Sequence, residues 1–287
     1  MPSEKKQFDQ KTTMKAAAEI RKGCIRALAA AGSGHIGGSM SLAEILAVLY
    51  TDILNIDPKN PHMEERDWVV LSKGHCGPAL YSTLAYKGYF PEDELLTLNK
   101  GGTNLPSHCD RLKTVGIDIS TGSLGQGLSL AAGVALGKRL QNIPGNVYAI
   151  VGDGELQEGQ NWEALMFIAH RKLTNIVVIV DNNKRQLDGY VDDICREEDL
   201  KAKFEAFGFN THRVDGHDVN ALYGAFCAVK NSDRPAAVIC DTEKGHGVSL
   251  SEIDGFNHYM PVSEEDAEAA LSEIDRRLEE NYERIGQ

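Results

Sequence analysis

Five short runs rich in apolar, β-branched residues punctuate the chain: WVVLS (68–72), NVYAIV (146–151), NIVVIV (175–180), NTHRV (210–214) and AAVIC (236–240). Longer helical patterns separate them. That alternation predicts an α/β fold, a single open and mostly parallel sheet with helices on both faces. Four of the runs are followed at once by polar or glycine-containing stretches: KGH, GDG, DNN and DTEKGHG. Ligands of open α/β sheets bind outside the carboxyl ends of the strands. These four stretches are therefore expected to converge on a ligand.

The helical patterns carry their own signals. Thr12 to Ala31 is alanine-rich and amphipathic and stops at GSG, a fitting C-terminal cap. Ser41 and Glu44 have the spacing of a capping box opening LAEILAVLYTDIL. LSLAAGVALGKRL (128–140) sets Ser129, Gly133 and Gly137 on one helical face. Such a small-residue stripe permits close approach of another backbone. Ser263 to Ile285 is highly charged and predicts an exposed terminal helix. Repeats, low-complexity tracts and linkers are absent, so residues 1–287 read as one domain.

Composition narrows the function classes. Hydrophobic content of 42% and charged content of 25% are ordinary globular values. A net charge of −12 argues against a general nucleic-acid surface. The six cysteines are scattered without a C-x-x-C pair, which predicts reduced thiols in place of a disulfide framework or zinc site. The N-terminus, MPSEKKQFDQ, is polar, and no apolar run is long enough for a membrane span. A soluble, cytoplasmic protein is expected.

The chemistry concentrates at two strand ends. GDG (152–154) and DNN (181–183) offer a carboxylate and an amide that can share one hard cation through oxygen ligands. The glycines let the backbone approach a diphosphate. His35, His75 and His108 sit among glycines or small residues, off the apolar faces of helices. Three histidines on such connections, beside a metal-diphosphate motif, suggest proton transfer.

GDG closing at NN resembles the thiamine-diphosphate motif, and GDGELQEGQNWEA resembles transketolase in particular. Further transketolase landmarks follow in order: SGHIGGS (33–39), LSKGHCGPALY (71–81), LPSHCD (105–110), TGSLGQGLS (121–129) and TEKGHG…FNHYMP (242–261). Two departures stand out: Ile36 where proline is usual, and Asn257-His258-Tyr259 where Trp-His-Gly or similar is usual. The resemblance implies a PP-type thiamine-diphosphate domain. Mg2+ (or Ca2+ or Mn2+) would be held by Asp153, Asn183 and the backbone carbonyl of Arg185. It also implies that His75, Gly122, Leu124, Gly125, Gly152, Gly154, Glu155 and His258 lie against the cofactor. His35 and His258 would face the substrate C3 hydroxyl as proton-transfer groups, His108 would orient the C1 hydroxyl, and His75 would touch the diphosphate. His246 competes with His258 for the last-loop role, and His217 is undecided. Glu158 and Glu163 match carboxylates at a subunit interface, where burial with like charges would raise their pKa values.

The pyrimidine-binding half of a transketolase, with the glutamate that activates the cofactor's aminopyrimidine, has no counterpart in the pattern. The resemblance is therefore to the N-terminal subunit of a split transketolase, inactive alone. A C-terminal partner subunit would supply that glutamate, in a heterotetramer or around a homodimer of this chain. The expected activity is transfer of a two-carbon ketol unit between sugar phosphates. A related thiamine-diphosphate synthase or dehydrogenase α chain is disfavoured by ELQEGQ and the three histidines. A non-catalytic regulatory paralogue is the other alternative, which the intact Asp153, Asn183 and histidine set speak against.

Overall fold

The structure, a computed structural model, describes residues 8–187, 189–253 and 256–285. Residues 1–7 of the polar N-terminal stretch and 254–255 of the last histidine loop lie outside the described residues. Helix α1 (Gln10–Ala31) starts where the Asp9 carboxylate accepts the Thr12 amide at 3.2 Å and ends at Gly32, left-handed at φ 80°. A two-residue strand β1 (Ser33–Gly34) and the short helices α2 (Gly37–Met40) and α3 (Ala43–Val48) follow, the last running into a π-turn at Leu49–Ile53.

Five strands form the central sheet: β2 (Trp68–Leu71), β3 (Val147–Gly152), β4 (Ile176–Asn182), β5 (Asn210–Asp215) and β6 (Ala236–Asp241). Their order is β2-β3-β4-β6-β5, and every pairing is parallel. The crossovers carry α4 (Gly77–Tyr86), α5 (Gln126–Gln141), α6 (Gly159–His170), α7 (Val191–Ile194), α8 (Leu200–Ala206) and α9 (Val219–Val229). The last strand, β7 (Met260–Pro261), pairs antiparallel with β1, and α10 (Glu264–Ile285) closes the chain.

Alternate residues of the central strands point to opposite faces, as the period of two requires. Tyr148, Ile150, Val177, Ile179 and Val238 pack with α1, α3, α4 and α9; Ala149, Val151, Val178, Val180 and Ile239 pack with α5, α6 and α8. Both faces are covered, so the central strands β3 and β4 are buried at every position, whereas the edge strand β5 alternates with polar, exposed residues. All six cysteines are free thiols, Cys195 and Cys227 exposed and the rest buried. No helix among the described residues is long and apolar enough to cross a membrane.

Two expectations fail. Ser41 is no N-cap: its hydroxyl donates to the Gly38 carbonyl and, at 2.7 Å, to the Asp181 carboxylate, while Glu44 grips Arg21 bidentately. Tertiary partners of full charge outcompete a local cap. The terminal helix is also not merely exposed. Ala267, Ala270 and Ile274 form a buried stripe on the core that includes α1, and the charges occupy the other face.

Candidate active site

The carboxyl ends of β2, β3, β4 and β6 open onto a cavity of about 450 Å3 lined by residues from each following loop. Beneath it lies Asp181, the first residue of DNN, fully buried and serving as a polar hub. It pairs with Lys73, accepts from Thr242, from Ser41 at 2.7 Å and from the Asn183 amide at 3.1 Å. Burial alone would raise the Asp181 carboxyl, but Lys73 and the hydroxyls hold it below its usual range.

Asp153 stands beside this hub at 2% exposure, its oxygens accepting the amides of Gly154 (2.8 Å) and Lys184 (2.5 Å). Burial, with Asp181 as a like-charged neighbour, pushes its carboxyl up to about 7. A carboxyl raised by burial in a set of oxygen donors is one that a hard cation would restore to its charged form. Asn183 and Arg185 line the same cavity as Asp153. The donor set thus fits a divalent cation.

Glu155 braces the glycine loops. Its carboxylate accepts from Ser72, from the Gly125 amide at 2.8 Å and from the Gly152 amide at 3.1 Å. Gly125 is left-handed at φ 87°, a conformation that L side chains rarely adopt. Gly122, Leu124, Gly152, Gly154 and Glu155 all line the cavity, giving a wall with little side-chain bulk on which a diphosphate fits.

Four imidazoles line the same cavity. His35 lies 5.3 Å from His75, 5.6 Å from His108 and 5.1 Å from His258, measured between ring centroids. Burial, with His108 and Lys244 nearby, lowers His35 to about 4; burial and Lys244 lower His258 to about 3. Burial lowers His75 and His108 as well. All four are neutral imidazoles at pH 7, able to take up or deliver a proton at a sugar hydroxyl.

Lys244, which sequence reasoning passed over, lines the cavity with its ammonium 3.2 Å from His258 Nδ1 and 3.3 Å from the Gln186 carbonyl. Burial and Lys73 lower it to about 8. Lys73 was missed too. Both sit in polar runs at strand ends, so the strand-end rule applied residue by residue would have found them.

His246 is elsewhere. Its ring stacks on His217 with centroids 3.6 Å apart and planes 20° from parallel, beside the Arg21–Glu44 pair. His217 Nε2 accepts the Glu243 amide at 2.9 Å, so Nδ1–H donates to Glu44 at 3.1 Å. Stacked rings direct their lone pairs in parallel planes, and Glu44 is already held by Arg21. The trio Glu44, His217 and His246 is therefore a poor chelate. Glu158 and Glu163 are exposed on the chain, as are Ser129 and Gly133.

Comparison with known proteins agrees with this geometry. A family model described as "Transketolase, thiamine diphosphate binding domain" matches residues 12–281. This chain belongs to the transketolase family. The 6-deoxy-6-sulfo-D-fructose transketolase subunit SqwG of Clostridium sp. (strain MSTE9) is 47% identical over 90% of this chain and 94% of its own length. An apulose-4-phosphate transketolase subunit of Actinobacillus succinogenes is 40% identical over 84% of this chain and 87% of its own. The transketolase structure from Campylobacter jejuni superposes with a TM-score of 0.87 at 33% identity, covering 93% of this chain but 43% of that one. The chain is thus a transketolase N-terminal subunit homologue, carries the family's thiamine-diphosphate-binding domain, and is of the ketol-transferring class.

Proposed function

We propose that this chain is the cofactor-binding half of a two-chain transketolase that moves a two-carbon ketol unit from a ketose bearing a terminal anion to an aldose. One observation carries the reading: four neutral imidazoles and the oxygen donors Asp153 and Asn183 line one cavity at the carboxyl end of a parallel sheet. Asp153, Asn183 and the Arg185 carbonyl hold a divalent cation, magnesium in the first instance. Gly122, Leu124, Gly125, Gly152, Gly154 and Glu155 receive the diphosphate. Thiamine diphosphate, when bound, supplies the electron sink that cleavage of a ketose C2–C3 bond requires. His35 and His258 exchange the proton of the C3 hydroxyl, His108 orients the C1 hydroxyl, and His75 contacts the diphosphate and the reacting oxygens. Desolvation keeps these imidazoles uncharged near neutral pH, so they can meet sugar hydroxyls as hydrogen-bond donors and acceptors.

The partner is a C-terminal transketolase subunit supplying the glutamate that activates the cofactor, in a heterotetramer or around a homodimer of this chain. Support comes from the relatives, which are named as subunits and are of this chain's length. It also comes from an open face on α5 and α6, where Leu130, Gly133, Met166 and Phe167 are exposed beside Glu158 and Glu163. The names of the relatives favour anionic ketoses, sulfonated or phosphorylated. Unpaired cysteines fit a reducing, cytoplasmic location.

Asp153→Ala tests the site. In the chain joined to its partner, affinity for thiamine diphosphate with magnesium should fall at least tenfold by titration calorimetry, about 1.4 kcal/mol. Unchanged affinity would remove Asp153 from the cation site.

A further inference from the structure

Tyr259 follows His258 at a place where the transketolase pattern carries glycine, and nothing in the reaction accounts for it. Strands β1 and β7 pair Ser33 with Pro261 and Gly34 with Met260. One further step in that register sets His35 across from Tyr259, and the two rings meet edge to face, centroids 5.0 Å apart at 84°. The Tyr259 hydroxyl lies 2.9 Å from Ser33 Oγ. Tyr259 is therefore fastened twice, through the ladder beside it and through its phenol.

His35 is not fastened in the usual way. A proton-transferring imidazole is ordinarily oriented by a hydrogen bond to its second nitrogen. Neither ring nitrogen of His35 has a hydrogen-bond partner among the described residues; its carbonyl alone is engaged, by Ser39. Three of its ring neighbours, His75, His108 and His258, line the cavity with it. The fourth, Tyr259, is anchored outside that cavity. Edge-to-face aromatic contacts have a preferred geometry, so a fixed phenol ring restricts the plane of the imidazole against it.

We propose that Tyr259 is a positioning residue for His35: its ring, set across from His35 by the β1–β7 ladder, fixes the imidazole plane in place of a hydrogen bond to the second nitrogen. The proposal rests on His35 being a proton-transfer group in the reaction described above. It also explains why the loops carrying His35 and His258 are joined by a ladder, since the same two residues of backbone that align Tyr259 hold both histidines at one end of the cavity.

The test uses Tyr259→Ala, Tyr259→Phe and His35→Ala in the chain combined with its partner subunit. Tyr259→Ala should lower kcat at least tenfold while the ketose KM and cofactor affinity change by less than about twofold. Tyr259→Phe, which keeps the ring, should retain more than about a third of kcat. Separately, the His35 ring resonances of the 13C-labelled chain, assigned by their loss in His35→Ala, should shift and broaden in Tyr259→Ala and hold their place in Tyr259→Phe. Unmoved His35 resonances in Tyr259→Ala overturn the proposal. Equal kinetic loss in the Ala and Phe variants overturns it as well, because the phenol would then act instead of the ring. Normal turnover by His35→Ala would defeat the catalytic reading of His35, and the resonances would still decide whether Tyr259 holds its ring.

Discussion

The ammonium of Lys73 and the carboxylate of Asp181 meet beneath the cavity with both side chains closed off from solvent. Lys73 belongs to the loop after β2 and Asp181 to β4, so the pair joins two strand ends under the site. Breaking a buried pair by removing one partner leaves an uncompensated charge and costs about 3–5 kcal/mol. Lys73→Met and Asp181→Asn should each lower stability by that amount in urea unfolding, and Lys73→Met with Asp181→Leu should cost less than either. A single variant within about 1 kcal/mol of the native chain would show that the pair contributes little.

Strand positions were legible because the buried strands are apolar on both faces: Val147–Gly152 and Ile176–Asn182 end within two residues of where the sequence placed them. That His35, His75 and His108 would share a cavity with Asp153 and Asn183 was legible because their flanking stretches resemble known motifs, whereas His258, whose flanks depart, was left in competition with His246. Side chains whose role depends on a distant partner were not. Ser41 and Glu44 have capping-box spacing, yet Asp181 and Arg21 claim them from 140 and 23 positions away. Lys73 and Lys244 drew no reading, since nothing local shows that a lysine will be buried. The stripe of Ala267, Ala270 and Ile274 was hidden because two of its three members are small.

Glu44 should govern acid sensitivity. Burial would raise its carboxyl, but Arg21 and His217 hold it far below the usual 4.5. The unfolded chain then takes up this proton first, so the stabilisation is complete above about pH 4.5 and is lost as pH falls below it. Burial, with His217 and Arg21, lowers His246 from 6.5 to about 4, so the folded state also loses ground between those values. Stability should therefore decline from about pH 6.5 downward and more steeply below 4.5. Glu44→Gln should shrink the lower phase, with Asp241 and Glu252, each held down to about 2, supplying what remains; an unchanged slope below pH 4.5 would rule this assignment out.

Two glycines of α5 should behave oppositely. A Cβ on Gly127 would lie 2.3 Å from Ser72 Oγ and 2.7 Å from Ser72 Cα, displacing the hydroxyl that donates to Glu155. Gly127→Ala should cost roughly 1–3 kcal/mol as overpacking and weaken cofactor binding. Around Gly133 nothing lies within 4 Å. Gly133→Leu should leave the chain folded while blocking assembly with the partner, read by sedimentation. Normal assembly would place the interface elsewhere.

His258 and His246 provide the sharpest division between site and scaffold. His258 is one of the cavity's imidazoles, 5.1 Å from His35 and 4.9 Å from His75 between centroids, with Lys244 on its Nδ1 at 3.2 Å. That ammonium donates to Nδ1, which leaves Nε2 to carry the ring's proton, so the ring passes that proton on as Nδ1 takes one from Lys244, and burial keeps the imidazole neutral. Removing a positioned general acid or base typically costs about 10²–10⁴ in rate. His258→Ala, reconstituted with the partner, should lose turnover on that scale while the chain keeps its stability, because the ring is not part of the core. His246 stacks on His217 next to the Arg21–Glu44 pair. His246→Ala should instead lower the unfolding midpoint, with kcat within about threefold of the native enzyme. The opposite pattern, a silent His258→Ala and an inactive His246→Ala, would place the last-loop proton-transfer group in the wrong histidine.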